Sequence, residues 1–202
     1  MEQTDISPLG ISTLALLAEK PMHPYEAYQL LLDRRQNHMV KVRPGTLYHA
    51  IDRMAAAGYV AAAGTEREGN RPERTRYAIT PAGRRALEAR VVELLAAPVA
   101  EYPIFPVALG EVHLLGAELV VTLLRRRVEA MSRDRDQLDL VIALVANGIV
   151  EERFLLAPMH RAHQLSAEID WITSLIARIE SGDLNWGDAH AVAPHLAATH
   201  RD

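Results

Sequence analysis

The chain has 202 residues, 49% hydrophobic and 24% charged, with a formal net charge of -4, the profile of a soluble globular protein of one or two domains. Cysteine is absent, which excludes disulfides, thiolate metal sites and a thiol nucleophile. The first residues include Glu2 and Asp5 and lack a basic-then-apolar run, so no secretory signal is expected. The most apolar stretch, Val107 to Leu124, is interrupted by Glu111, His113 and Glu118, so no membrane span is expected either, and a cytoplasmic location follows.

Ser7-Pro8 predicts a helix start, because serine caps free backbone N–H groups and proline is tolerated at the first helical position. Leu9, Thr13, Leu16 and Leu17 predict a mostly buried first helix. Lys20-Pro21-Met22-His23-Pro24 is a break, and Pro24 opens a second helix through about Gln36, with Ala27, Leu30 and Leu31 as its inner stripe. A third helix begins at Pro44. There Leu47, Ile51 and Met54 fall at helical spacing and face inward, while Thr46, His49 and Arg53 share the other side. Gly58 ends it.

Tyr59 to Gly64 is a strand candidate, residues 65–73 are polar with a turn at Gly69-Asn70, and Arg74 to Thr80 alternates as a half-buried strand. The two strands predict a hairpin. Thr80-Pro81 then caps a fourth helix whose Leu87, Val91, Leu94 and Leu95 form an apolar stripe. Three helices followed by a two-stranded hairpin describe a winged helix-turn-helix, whose third helix enters the major groove of DNA.

Pro98, Pro103 and Pro106 mark a connector over residues 98–115. Two long helical patterns follow within residues 116–182. In the first, Leu124, Val128, Met131, Leu138, Ile142 and Val145 keep a heptad-like rhythm, with Arg135 out of character. In the second, Leu165, Ile169, Ile172, Ile176 and Ile179 alternate four and three residues apart, and Pro158 kinks or delays its start. Residues 183–202 read as a loose tail. The expected fold is mainly α with a small β-hairpin: a DNA-binding winged helix over 1–97, then the connector, then a long-helix dimerisation and effector region.

Net acidity hides an asymmetry. Residues 34–90 hold twelve Lys or Arg against five Asp or Glu, a balance of +7, and residues 91–202 hold nine against sixteen, a balance of -7. Phosphate responds to the local field, so an acidic protein can carry a basic working face. Arg43, Arg53, Arg71, Arg74 and Arg76 are the cationic candidates for that face. Gly45 and Thr46 offer backbone amides at a helix N-terminus, which suit phosphate. Thr46 and His49 stand where base edges would be reached. The hydroxyls of Tyr25 and Tyr48 can bond phosphate while their rings pack.

These residues resemble the PadR family of bacterial transcriptional regulators. The resemblance runs through Gly10 and Leu14–Leu17, Met22-His23-Pro24-Tyr25-Glu26, Pro44-Gly45-Thr46-Leu47-Tyr48, Gly58-Tyr59-Val60, Arg71-Pro72, Tyr77 and Thr80-Pro81-Ala82-Gly83. It covers roughly the first ninety residues, and more loosely the end at residues 181–186. Pro24 stands where the family more often has Gly, and Glu73 where a basic residue is frequent. The resemblance implies a homodimeric repressor, paired by its C-terminal helices, whose hold on an inverted-repeat operator responds to a ligand or stress signal.

Tyr102, Phe105 and Trp171 are candidates for the effector pocket of such a regulator, since flat rings take flat ligands. His160 and His163, followed by His190, His195 and His200, raise a metal-responsive alternative, but a metal site needs three or four converging ligands and none is assigned. A second alternative is a winged helix used for protein assembly without DNA. No cofactor is expected, and no carboxylate pair comes with a nucleophile or Gly-rich loop that would indicate an enzyme.

Overall fold

A computed structural model describes residues 6–66 and 74–187. By packing the chain falls into two units, divided between Glu101 and Tyr102.

The first unit contains α1 (Pro8–Glu19), α2 (Pro24–Asp33), α3 (Pro44–Ala56), β1 (Val60–Glu66), β2 (Arg74–Ile79) and α4 (Pro81–Ala96). Each of its helices starts on a proline whose missing N–H would have had no helical partner anyway. The caps differ. Ser7 Oγ accepts the Gly10 N–H at 3.2 Å, His23 Nδ1 accepts the Tyr25 N–H at 3.0 Å, and Thr80 Oγ1 accepts the Gly83 N–H at 3.0 Å. At α3 the cap residue Arg43 supplies no side-chain bond, and the Thr46 hydroxyl instead donates to the Arg43 carbonyl at 2.8 Å.

Leu14, Leu16, Leu31, Leu47 and Ile51 form the centre of the first core, each essentially buried. The second helix is shorter than its sequence suggests: it ends at Asp33, and a 3-10 turn at Gln36–His38 follows a left-handed Arg35. The hairpin pairs antiparallel, Val60 with Ile79 and Ala62 with Tyr77, with a bulge between Ala62 and Thr65. Met22 adds a bridge on the other side of Tyr77, with backbone bonds of 3.0 and 2.9 Å, so the α1–α2 turn is tied to the hairpin. Gly83 permits the closest helix–strand approach: a Cβ there would lie 2.1 Å from the Tyr59 carbonyl oxygen.

The α4 stripe of Leu87, Val91, Leu94 and Leu95 is not buried along its length. Leu87 packs on the core, but Val91, Leu94 and Leu95 are exposed, Leu95 to 84%. The helix outruns the core it rests on, and a stripe can be buried only where a neighbour faces it.

The second unit contains α5 (Ile104–Gly110), a 3-10 turn at Val112–Leu114, α6 (Ala117–Ala146) and α7 (Leu156–Ser181). Thus the stretch read as connector holds a short helix. Helices α6 and α7 form an antiparallel hairpin whose buried seam joins Val121, Leu124 and Met131 to Leu165, Ile172 and Ile176. Leu138 and Val128 pack at its edge. Pro158 delays α7 and sits in its first turn, where an absent N–H costs no helical bond. Gly182, at φ 79°, closes α7 in the left-handed conformation. Beyond it, Leu184 and Trp186 pack on the seam, and Trp186 Nε1–H donates to the Leu115 carbonyl at 2.8 Å, so the expected tail begins with a docked stretch. Residues 188–202 lie outside the described ones.

A candidate nucleic-acid interface on the third helix

The apolar back of α3, Leu47, Ala50, Ile51 and Met54, is buried against α1 and α2. That anchoring decides what the front presents. Arg43, Gly45, Thr46, Tyr48, His49 and Arg53 are all exposed. Thr46, His49 and Arg53 follow one another along one side of the helix over about 10 Å, given a rise of about 1.5 Å per residue. Arg43 stands at the cap of α3 and the other five lie on it, with Tyr48 turned away from the side that Thr46, His49 and Arg53 share.

The cations of this unit divide into two groups. Arg34 grips both carboxylate oxygens of Glu19, and Lys20 pairs with Glu26 at 2.6 Å. The Arg34 hydrogen bond holds the Glu19 carboxyl below its ordinary range, and Lys20 does the same for Glu26; Arg34 is itself raised by Glu19. Arg84 donates to the Ala18 carbonyl at 3.2 Å and Arg76 to the Pro21 carbonyl at 2.7 Å, at and just beyond the α1 C-terminus, where a helix leaves carbonyls unsatisfied and favours positive charge. Arg43 and Arg53, by contrast, make no ion pair among the described residues. Lys41 belongs with them and escaped the sequence reading, although it forms a short basic run with Arg43 just before Pro44.

Two aromatic candidates flank the helix start. Tyr48 is 41% exposed and meets the His23 ring edge-on at 6.4 Å; Tyr25 is 54% exposed and lies 6.3 Å from the Tyr28 ring. Both rings are partly packed and both leave surface to solvent. Of the hairpin arginines, Arg76 stands at the base of β2, and its guanidinium closes the α1–α2 turn. Arg74 opens β2, with its side chain outside the described part, and Arg71 lies outside the described residues.

The second unit holds the other candidates. Tyr102 is 92% exposed and Trp171 51%. Phe105 is half-buried, because the Arg127 guanidinium stacks on its ring at 3.5 Å while bonding Glu168 at 2.8 Å, a clamp that holds α5 to the helix pair. Rings this open do not wall a closed pocket within one chain. His160 lies on the exposed side of α7, as does His163, and the described residues contain no group of three or more metal-ligating side chains; His190, His195 and His200 lie outside them. Among the described residues no helix is long and apolar enough to cross a membrane.

Comparison with known proteins places this geometry. Residues 13–89 match the model of the transcriptional regulator PadR-like family. The fold is similar to that of Bacillus subtilis PadR in complex with operator DNA, with a TM-score of 0.71, 13% identity, and coverage of 84% of this chain and 97% of that one. It is also similar to Bacillus subtilis PadR alone, with a TM-score of 0.65, 12% identity and coverage of 88% and 99%. The PadR-like transcriptional regulator BC1756 from Bacillus cereus gives a TM-score of 0.58 at 16% identity, with coverage of 85% and 97%. No curated protein matches the chain by sequence.

Proposed function

The chain carries a PadR-like transcriptional-regulator domain over residues 13–89, and from that premise we propose that it binds double-stranded operator DNA as a homodimer and represses transcription. One observation carries this reading. The exposed front of α3 gathers Arg43, Thr46, His49 and Arg53 over a buried apolar back, and its two arginines make no ion pair among the described residues. Phosphate would meet the guanidiniums and the free amides of the α3 N-terminus, where Gly45 leaves open space for close approach. Base edges would meet Thr46 and His49 in the major groove. Tyr25 and Tyr48 would add hydroxyls to the backbone contacts, and Arg71 and Arg74 a cationic hairpin.

Two such fronts in a symmetric dimer call for an inverted repeat with half-sites about 34 Å apart. Tyr102 and Trp171 offer open rings to a flat effector, whereas Phe105 is already committed to Arg127. An effector that changes the dimer geometry would change operator occupancy.

A footprint and a mobility-shift titration on the promoter of this protein's own gene test the reading. Protection of an inverted repeat, weakened by Arg53→Ala without loss of helical signal, is the expected result. Failure of the folded wild-type chain to bind any duplex more tightly at low than at high salt would overturn it.

A further inference from the structure

A cleft of about 140 Å³ opens in the first unit, between the start of α1 and the second half of α3. Ile6 and Gly10 form one wall; Ala50, Met54 and Ala57 form the other. Ile6, Gly10, Ala50 and Met54 are buried, Ala57 is half-buried and Arg53 is exposed, so the cleft runs from an apolar floor to an edge at Arg53. A cavity of about 150 Å³ takes a benzene-sized guest, so this one has room for about six carbons. Glycine and two alanines make that room. A Cβ on Gly10 would already meet the Ile6 Cγ2 methyl at 3.0 Å and the Met54 sulfur at 3.8 Å.

The edge is cationic. Arg53 lines it and makes no ion pair among the described residues. Ser7 and Gly10 bring the first turn of α1 to the same cleft, and a helix N-terminus adds partial positive charge. The carbonyls at the facing end of α3 have donors of their own. Arg53 accepts the Ala57 N–H at 3.0 Å, Ala55 the Gly58 N–H at 3.0 Å and Met54 the Tyr59 N–H at 2.8 Å. Asp52 follows Arg53 at about 100° round the helix and does not line the cleft. An apolar floor under an unneutralised guanidinium suits an anion with an apolar body.

We propose that this cleft binds a small aliphatic monocarboxylate, its chain on Ile6, Ala50 and Met54 and its carboxylate on Arg53. The walls are aliphatic apart from Tyr59, and the pliable thioether of Met54 follows a chain readily. The same Arg53 is offered to operator phosphate, and one guanidinium cannot serve both anions, so acid and duplex exclude each other. The competition rests on the reading of α3 as the DNA-binding helix; the cleft does not.

Sodium hexanoate, titrated into the full chain while its methyl signals are followed by NMR, is the test. The Ile6, Met54 and Ala57 methyls are expected to shift saturably, with a dissociation constant of about 1 mM for so small a ligand. Those of Val121 and Leu165, in the second core, are expected to stay put. Hexylammonium, with the same chain and the opposite charge, is expected not to bind, and Arg53→Gln is expected to raise the hexanoate constant about tenfold. Cleft methyls that never move, an equal response to hexylammonium, or an unchanged constant in Arg53→Gln would each overturn the site. Ala57→Leu fills the cleft from its edge and is expected to keep duplex binding while losing the Ile6 and Met54 shifts; shifts that persist in this folded variant would place the acid elsewhere. Should that variant unfold, the Arg53→Gln titration still decides. In a mobility-shift assay on the promoter duplex, saturating hexanoate is expected to weaken binding about tenfold beyond equal sodium chloride. No excess over sodium chloride, with the methyls reporting binding, would overturn the competition. A chain that binds no duplex at any salt would overturn the DNA reading instead, and the methyl titration would still decide the cleft.

Discussion

The two units of this chain solve the burial problem differently. In the first, three helices and a hairpin surround one core, and among the described residues before residue 91 the large apolar side chains left on the surface are Tyr25, Met39 and Tyr48. In the second, a helix pair buries one seam and leaves Leu119, Leu123, Leu140, Ile149, Phe154 and Leu156 in solvent. A helix pair can bury only the facing stripe of each member, whereas a helix inside a three-helix cluster is covered from two sides. The first unit is therefore built to stand on its own and display polar groups. The second, like the end of α4, leaves apolar side chains exposed.

That contrast can be broken at several strengths. The largest effect is expected from Gly83→Ala, whose Cβ would sit 2.1 Å from a backbone oxygen, so that α4 must move off the hairpin. Overpacking against backbone, which cannot rotate away, is expected at or beyond the upper end of the about 1–3 kcal/mol usual for such changes; Ile51→Ala, which empties core volume, is expected to cost about 2–5 kcal/mol, and a denaturant titration reads both. Because Ile51 lies wholly inside the first core, its destabilisation is expected not to depend on protein concentration. Leu123→Asp, on an exposed position, sharpens the opposite side: the melting temperature is expected to lose its concentration dependence, while the helical signal of the folded chain persists. A concentration-dependent melt retained by this variant would show that the second unit needs no cover there.

Smaller effects follow at the cap and at the surface pairs. Thr80→Ala removes both the bond from the Gly83 N–H and the 2.7 Å bond to the Gly58 carbonyl, and is expected to cost about 1–2 kcal/mol. The Glu19–Arg34 pair is expected to matter least. Its carboxyl is held below the usual 4.5, so its contribution is present above pH 4.5 and is lost as pH falls through the lower folded value. Both side chains are nearly half exposed, so solvent screening keeps that contribution below about 1 kcal/mol. Comparing wild type with Glu19→Gln from pH 7 down to pH 3 checks this; a difference that grows with acid, rather than shrinking, would contradict it.

Much of this architecture was legible in the residues because it is punctuated. Ser7-Pro8, Pro24, Pro44 and Thr80-Pro81 open helices by a local rule, and Gly182 closes one by another, so no tertiary knowledge is needed. The seam of α7 was legible because its five branched residues have one role. What escaped was tertiary. Leu87 and Val91 carry the same periodic signal, and only the extent of the core separates them. Two stripes overlie each other on α6, and the buried one masks the other. The arginines of the basic stretch look alike in sequence, yet Arg34, Arg76 and Arg84 are bound within the fold, while Arg43 and Arg53 stand open. Partner choice depends on groups that fold into reach, such as the Pro21 carbonyl, and no spacing announces it.

The proposal that matters most is that the front of α3 grips DNA. The most direct test is the salt dependence of binding to a duplex of about thirty base pairs by the full chain and by its Arg43→Ala/Arg53→Ala variant. If both arginines meet phosphate, the slope of log affinity against log salt becomes shallower in the variant by about two for each subunit bound, about four for the dimer. A folded variant that keeps the wild-type affinity and slope would contradict it.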